Sequence, residues 1–151
     1  MATLIIRFLN IIMAGLIAGT LFGIWVGYNP RNLSPATYVE QQQSVIKALN
    51  TLMPLLGLIT IILTLISAFL QRDNKTVFIS LIAATIFLVI SALVTRFGNQ
   101  PINSIVITWD KANLPGNWTE LRDKWWSLHI VRAVTTFVAF CLIVWSGMQK
   151  A

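Results

Sequence analysis

Four long apolar stretches decide what this chain folds into. They cover about residues 8–28, 49–70, 77–97 and 126–148, each near the roughly 20 residues a helix needs to cross the hydrocarbon core of a bilayer. In lipid the backbone finds no water, so each run has to satisfy its own amides as a helix. Composition agrees: the chain is 56% hydrophobic and 11% charged, whereas soluble domains carry about a quarter charged residues. The predicted fold is therefore all-α, an integral membrane four-helix bundle with an up-down-up-down path, and residues 1–151 form one such domain.

The net charge of +6 does not point to nucleic acid. The basic residues are scattered singly, with no Lys/Arg run and no RNA-binding aromatic signature. They fit the headgroup level of a membrane instead. Cys141 is the single cysteine and lies inside an apolar run, so it forms neither an internal disulfide nor a metal cluster and is expected to pack. The first run lacks a short apolar core followed by a small-residue cleavage site, so it is expected to be retained.

An even number of spans puts both termini and the short linker QRDNKT on one side and two long polar connections on the other. The terminal side holds Arg7, Arg72, Lys75 and Lys150; the other holds Arg31, Lys47, Arg96, Lys111, Arg122, Lys124 and Arg132. Arg7 and the short linker read as ordinary stop signals, and the termini are expected to be cytoplasmic. Gly15, Gly19, Gly23 and Gly27 recur every fourth residue and line one stripe of the first span. That spacing is expected to pack closely inside the bundle, with a dimer seam as the alternative.

The long connections carry helix punctuation. Ser34-Pro35 reads as an N-cap followed by proline at the first helical position. The helix beginning there is expected to run into the second span, with a kink at Pro54. Gly98 reads as the end of the third span and Pro101 as the start of a new helix holding Asn103, Val106 and Ile107. Asn117 with Glu120 reads as a capping box for a helix that continues through LRDKWW into the fourth span. The sequons at Asn74 and Asn117 read as chance.

The fourth span opens on WWSLHIVR, which contains the chain's single histidine. On a helix, Arg122, Trp125, His129, Arg132 and Thr136 form one stripe, with Trp126 on the neighbouring face. Tryptophan near a span's end is commonly an interface anchor. Arginine cannot shed its proton, so Arg132 inside an apolar helix either snorkels to headgroups or faces a polar cavity. Asn99 and Asn103 fall at the matching end of the third span, and Tyr38, Glu40 and Gln42 near that end of the second. Glu40 or Asp123 is expected to supply the counter-charge for Arg132. Residue supply excludes a typical zinc or copper site, a haem pair and a glycine-rich phosphate loop, so no cofactor is expected.

GNQPIN, Trp118, LRDKWWSLHIVR and the upstream YVEQQQ…LMP resemble the motif pattern of a small four-span membrane family that includes the fungal anthrone oxygenases. Asn99, Pro101, Asn103, Trp118, Arg122, Trp125 and Arg132 match its polar motif, and His129 stands where many members have asparagine. The resemblance implies a reaction in which a polyphenolic anthrone is oxidised by dioxygen without metal or flavin. His129 would then be the base, Arg132, Asn99 and Asn103 would hold the oxyanion, and Trp118 and Trp125 would stack on the ring. Two functions follow. The first is a non-catalytic accessory or binding subunit of a membrane complex, whose pocket holds a lipid, a quinone or a partner segment. The alternative is a cofactor-independent oxygenase acting on a lipophilic aromatic. The expected partners are the bilayer, such a small molecule, and other membrane subunits or a second copy.

Overall fold

The computed structural model describes residues 1–149; Lys150, counted above for sidedness, lies outside the described residues. The helices are α1 (Ala2–Gly27), α2 (Pro35–Leu49), α3 (Leu52–Leu70), α4 (Lys75–Val94), α5 (Gln100–Val106) and α6 (Trp118–Met148). Four helical runs are long and apolar enough to span a membrane: Ala2–Asn32, Leu52–Leu70, Lys75–Val106 and Trp118–Met148. Each packs on the next in a closed ring, α1 on α3, α3 on α4, α4 on α6 and α6 on α1. That ring is compatible with an up-down-up-down path. The outer face is apolar, with Phe8, Leu55, Ile79 and Phe137 all at least half exposed, as expected where lipid rather than water is the solvent. The chain is a multi-pass integral membrane protein.

The core is built from small residues. Ala14, Ala68, Ala84 and Ala139 are buried among Val77, Leu81, Leu88 and Ile143, and small side chains let helix backbones approach closely in a membrane. Buried hydrogen bonds tie the ring together where apolar contact alone supplies little drive. Thr64 Oγ1 donates to Asn10 Oδ1 at 2.9 Å, joining α3 to α1. Thr136 Oγ1 and Ser91 Oγ lie 2.8 Å apart, joining α6 to α4. Arg7 reaches the last turn of α6, donating to the carbonyls of Ser146 (3.4 Å), Gly147 and Gln149 (3.2 Å). The side chain read as a stop signal thus satisfies the open carbonyls of another helix.

The Ser34 cap forms as expected, accepting from the Thr37 amide at 3.4 Å. Other punctuation differs. α2 does not run into α3: it ends at Leu49, and α3 restarts at Leu52. Pro54 therefore sits in the first turn of α3, where its missing amide proton costs nothing, and makes no mid-helix kink. Gly98 does not stop the third span. The chain continues from α4 through a π-helical turn, Thr95–Asn99, directly into α5. The wider turn lies just ahead of Pro101, whose ring and absent N–H disturb the preceding turn of an α-helix. Gly98 serves close packing: a Cβ there would meet Leu128 Cδ1 at 2.9 Å. Asn117 precedes α6, but its side chain makes no capping bond. The glycine stripe of α1 does not pack inside the bundle either. Gly15 meets Phe140, while Gly19, Gly23 and Gly27 are exposed with nothing near their Cβ positions.

Candidate functional site

The site is organised by about two turns of α6. Trp125, Trp126, His129 and Arg132 are all buried. Positions three and four apart share a helix face, so both indoles lie against the imidazole. Trp125 stacks on His129 at 5.2 Å and 7°, and Trp126 at 5.6 Å and 12°. Neither tryptophan is an interface anchor. His129 Nε2 lies 3.1 Å from the Leu21 carbonyl oxygen; an oxygen only accepts, so Nε2 carries the proton. Nδ1 is then a lone pair, and it accepts from Arg132 Nε at 3.2 Å and Nη2 at 2.9 Å. The guanidinium also lies 5.7 Å from the Trp125 ring centroid.

Arg132 is only 9% exposed, which settles its location inside the protein rather than among headgroups. Its acceptor is not the one expected. Among the described residues its guanidinium finds no acceptor on the second or third span, and neither suggested carboxylate reaches it. Glu40 pairs with Lys111 at 2.5 Å, and Asp123 pairs with Arg31 at 3.2 Å and Arg122 at 2.9 Å. Arg132 is a buried cation held by a neutral histidine on its own helix.

Two cavities share Arg132 in their walls. The larger has a volume of about 220 Å³ and lies between α1, α3, α4 and α6. Its walls are mainly apolar, including Ile17, Leu21, Met53 and Ile61, and its polar groups are Arg132, Thr136, Ser91, Thr95, Arg96 and Gln100. At the α3–α4 seam its rim is formed by exposed Leu58, Ala92 and Arg96, so it faces the lipid side of the bundle. The smaller cavity, of about 30 Å³, is lined by Gln42, Asn50, Asn103, Trp125 and Arg132 among others. About 10–15 Å³ suffices for one water. Gln42 Oε1 accepts from the Tyr28 hydroxyl at 3.0 Å, while its buried Nε2 has no partner.

The remaining expected residues divide into two groups. Asn99 and Asn103 surround Trp125 but spend their amide donors on protein. Asn99 Nδ2 donates to the Trp125 carbonyl at 3.0 Å. Asn103 Oδ1 accepts from Trp125 Nε1 and Asn103 Nδ2 donates to Asn50 Oδ1, both at 2.8 Å. Trp118, Arg122 and Tyr38 form a separate cluster at the long-connection end. Tyr38 packs on Trp118 at 5.9 Å, and Arg122 lies 4.9 Å over the Trp118 ring. Burial pushes the Tyr38 hydroxyl up, against the nearby Arg122 charge. Glu40 is exposed. His129 and Asn99 line neither cavity, Asn103 lines only the smaller, and Arg132 lines both.

Sequence reasoning passed over Ser91, Thr95 and Asn50. Gln43 Nε2 donates to the carbonyls of Val106, Ile107 and Trp109 at 3.1, 3.4 and 2.9 Å, closing the end of α5. Serine and threonine inside apolar helices give little signal, because they also satisfy themselves on the preceding turn, as Thr95 does on the Ser91 carbonyl at 2.9 Å. Among the described residues no three His, Cys, Asp or Glu side chains gather for a metal ion.

The comparison with family descriptions is decisive for membership: the anthrone oxygenase family matches residues 43–142. The chain belongs to the anthrone oxygenase family. The matched region takes in α3, α4, α5, the C-terminal part of α2 and most of α6, and hence the Trp-His-Arg segment and most of the large cavity's wall. No curated protein and no solved structure matches.

Proposed function

We propose that the chain is a single four-helix membrane domain with cytoplasmic termini, and that it binds a small lipophilic ring with an acidic oxygen and oxidises it with dioxygen. The observation that carries this reading is Arg132: a buried cation with no carboxylate partner among the described residues, at the wall of an otherwise largely apolar cavity. A buried charge is costly until something of opposite sign meets it. The ligand that fits best brings its own negative oxygen and leaves the rest of its surface apolar. A dry cavity of about 150 Å³ holds a benzene ring, and 220 Å³ admits a larger ring system.

An anthrone meets these demands. The carbonyl oxygen accepts from Arg132, and the guanidinium stabilises the enolate that forms when a methylene C–H bond breaks. His129 lines neither cavity while Arg132 covers its Nδ1; as Arg132 turns to that oxyanion it uncovers Nδ1 toward the ligand, and the freed lone pair takes the proton. His129 Nε2–H stays on the Leu21 carbonyl and keeps the ring in the tautomer this requires. The enolate passes an electron to dioxygen, and the two radicals join to form a C–O bond. The peroxide recovers the proton from His129. Loss of water breaks the O–O bond and the second methylene C–H bond, leaving a second carbonyl. One oxygen atom enters the product and the other leaves as water.

Oxygen uptake with an anthrone in nanodiscs tests this. His129→Gln is expected to lose turnover but retain binding, since glutamine keeps hydrogen bonds without a titratable base. Arg132→Lys is expected to weaken both, since lysine lacks the planar fork. Uptake by the wild type no faster than the spontaneous rate removes the oxygenase reading. The accessory-subunit reading shares the pocket and the ligand chemistry, so ligand binding without uptake assigns the protein to it.

A further inference from the structure

The large cavity has a second cation that the reaction does not use. Arg96 stands at its rim, on the π-helical turn between α4 and α5, and Arg132 stands at its inner wall. Among the described residues no acidic side chain lines the cavity, and neither arginine shares the described ion pairs, which engage Arg31, Lys111 and Arg122. Arg96 Nη1 donates to Gln100 Oε1 at 3.2 Å, and Gln100 Nε2 in turn donates to the Asn50 carbonyl at 3.3 Å. The guanidinium is thus bound to a neutral amide fixed to the α2–α3 junction, with the rest of its fork uncommitted to any carboxylate.

The two cations are offset along the bundle. Ser91 Oγ donates to the Arg132 carbonyl at 3.3 Å, which sets Ser91 level with Arg132. Arg96 follows Ser91 by five residues, roughly 7 Å farther along the helix axis at 1.5 Å per residue. Between them the wall is Thr95, Ala92 and the facing residues of α3, among them Gly57 and Pro54. Gly57 has nothing near its Cβ position, so the α3 wall is flat there. A planar ring system fits this stretch, with one polar group at each end.

Resting on the binding reading above, we propose that Arg96 is a specificity residue, and that the cavity takes a ring bearing a carboxylate in addition to the oxygen held by Arg132. The carboxylate lies at the rim, nearer the polar end of the bundle, and the reacting oxygen lies inside. A guanidinium matches a carboxylate with two parallel hydrogen bonds, and in a partly lipid-covered rim that pairing is screened less than in open water. A solitary arginine near a span's end is ordinarily a headgroup anchor. Its place on the wall of the cavity that also holds Arg132 distinguishes this one.

The test compares anthraquinone-2-carboxylate with uncharged anthraquinone. Equilibrium dialysis into nanodiscs of zwitterionic lipid measures binding, with protein-free nanodiscs as the blank. The wild type is expected to hold the carboxylate about five- to tenfold more tightly, the scale of one charge-assisted pair at a partly exposed site. Arg96→Gln is expected to abolish that preference while leaving the uncharged ring within about twofold of wild type, and Arg96→Lys to keep part of it. An unchanged preference in Arg96→Gln, an equal loss for both probes, or no preference in the wild type overturns the proposal. Failure of both probes to bind removes the pocket reading as well. Binding with the predicted preference but without oxygen uptake leaves this proposal standing and removes only the oxygenase reading.

Discussion

His129 and Arg132 form one unit rather than two independent site residues. The imidazole is held by two stacked indoles and, at both nitrogens, by hydrogen bonds. Its present contacts make it a neutral acceptor for the arginine. Trp125 carries the same logic outward: its Nε1–H donates to Asn103, which donates to Asn50. Replacing Asn103 by leucine leaves a buried indole N–H without an acceptor, a loss of roughly 1–3 kcal/mol. Asn103→Leu is therefore expected to lower the unfolding free energy by about 2 kcal/mol, while Asn103→Asp, which keeps the acceptor, loses less. Chemical unfolding in detergent gives the comparison, and equal losses would show that the indole bond is not what Asn103 supplies.

At the scale of elements, the third span is the one the structure reshapes most. Its long helical run continues past Gly98 because the backbone widens to a π turn ahead of Pro101 rather than stopping. That continuation carries Asn99 and Asn103 onto Trp125 and places Arg96 at the cavity rim. Glycine at position 98 is then a packing residue against Leu128. Gly98→Ala is expected to cost about 1 kcal/mol through overpacking, and less in a Leu128→Ala background where the clashing methyl groups are gone. A double-mutant cycle measured by unfolding reads this directly; additive effects would contradict the contact. The four spans, the Ser34 cap and the shared helix face of His129 and Arg132 were legible from apolar length, cap chemistry and helical spacing. The π turn was not, because glycine followed by proline has the same local signature in a helix end and in a helix that widens and continues. The partner of Arg132 was missed for a related reason. Charge complementarity suggested Glu40 or Asp123, but both are claimed by other cations, Lys111 for the first and Arg31 and Arg122 for the second, and a lone pair three residues away was nearer.

For the whole molecule, the ring of four spans encloses a polar seam on its inside and presents an apolar surface outside. The glycines of α1 show how a sequence pattern alone misplaces a face. Every-fourth spacing fixes a stripe, but which side it takes depends on the competing stripe of Asn10, Ala14, Ile17, Ala18 and Leu21, which is the buried one. Gly19→Leu is accordingly expected to change thermal stability of the detergent-solubilised monomer by little, within about 0.5 kcal/mol, because nothing in the bundle occupies that space. Marked destabilisation of the monomer would place the stripe inside after all.

The central claim is that Arg132 holds a negative oxygen of a lipophilic ring inside this bundle. Its most direct measure is the acidity of a bound anthrone, followed anaerobically by the absorbance of its anion in nanodiscs as pH is raised. A cation beside the oxyanion favours the charged form, so the bound anthrone is expected to ionise about 1–2 pH units below its value in protein-free nanodiscs. Arg132→Gln is expected to abolish that displacement. An anthrone that binds but ionises at the same pH with and without Arg132 would contradict the account.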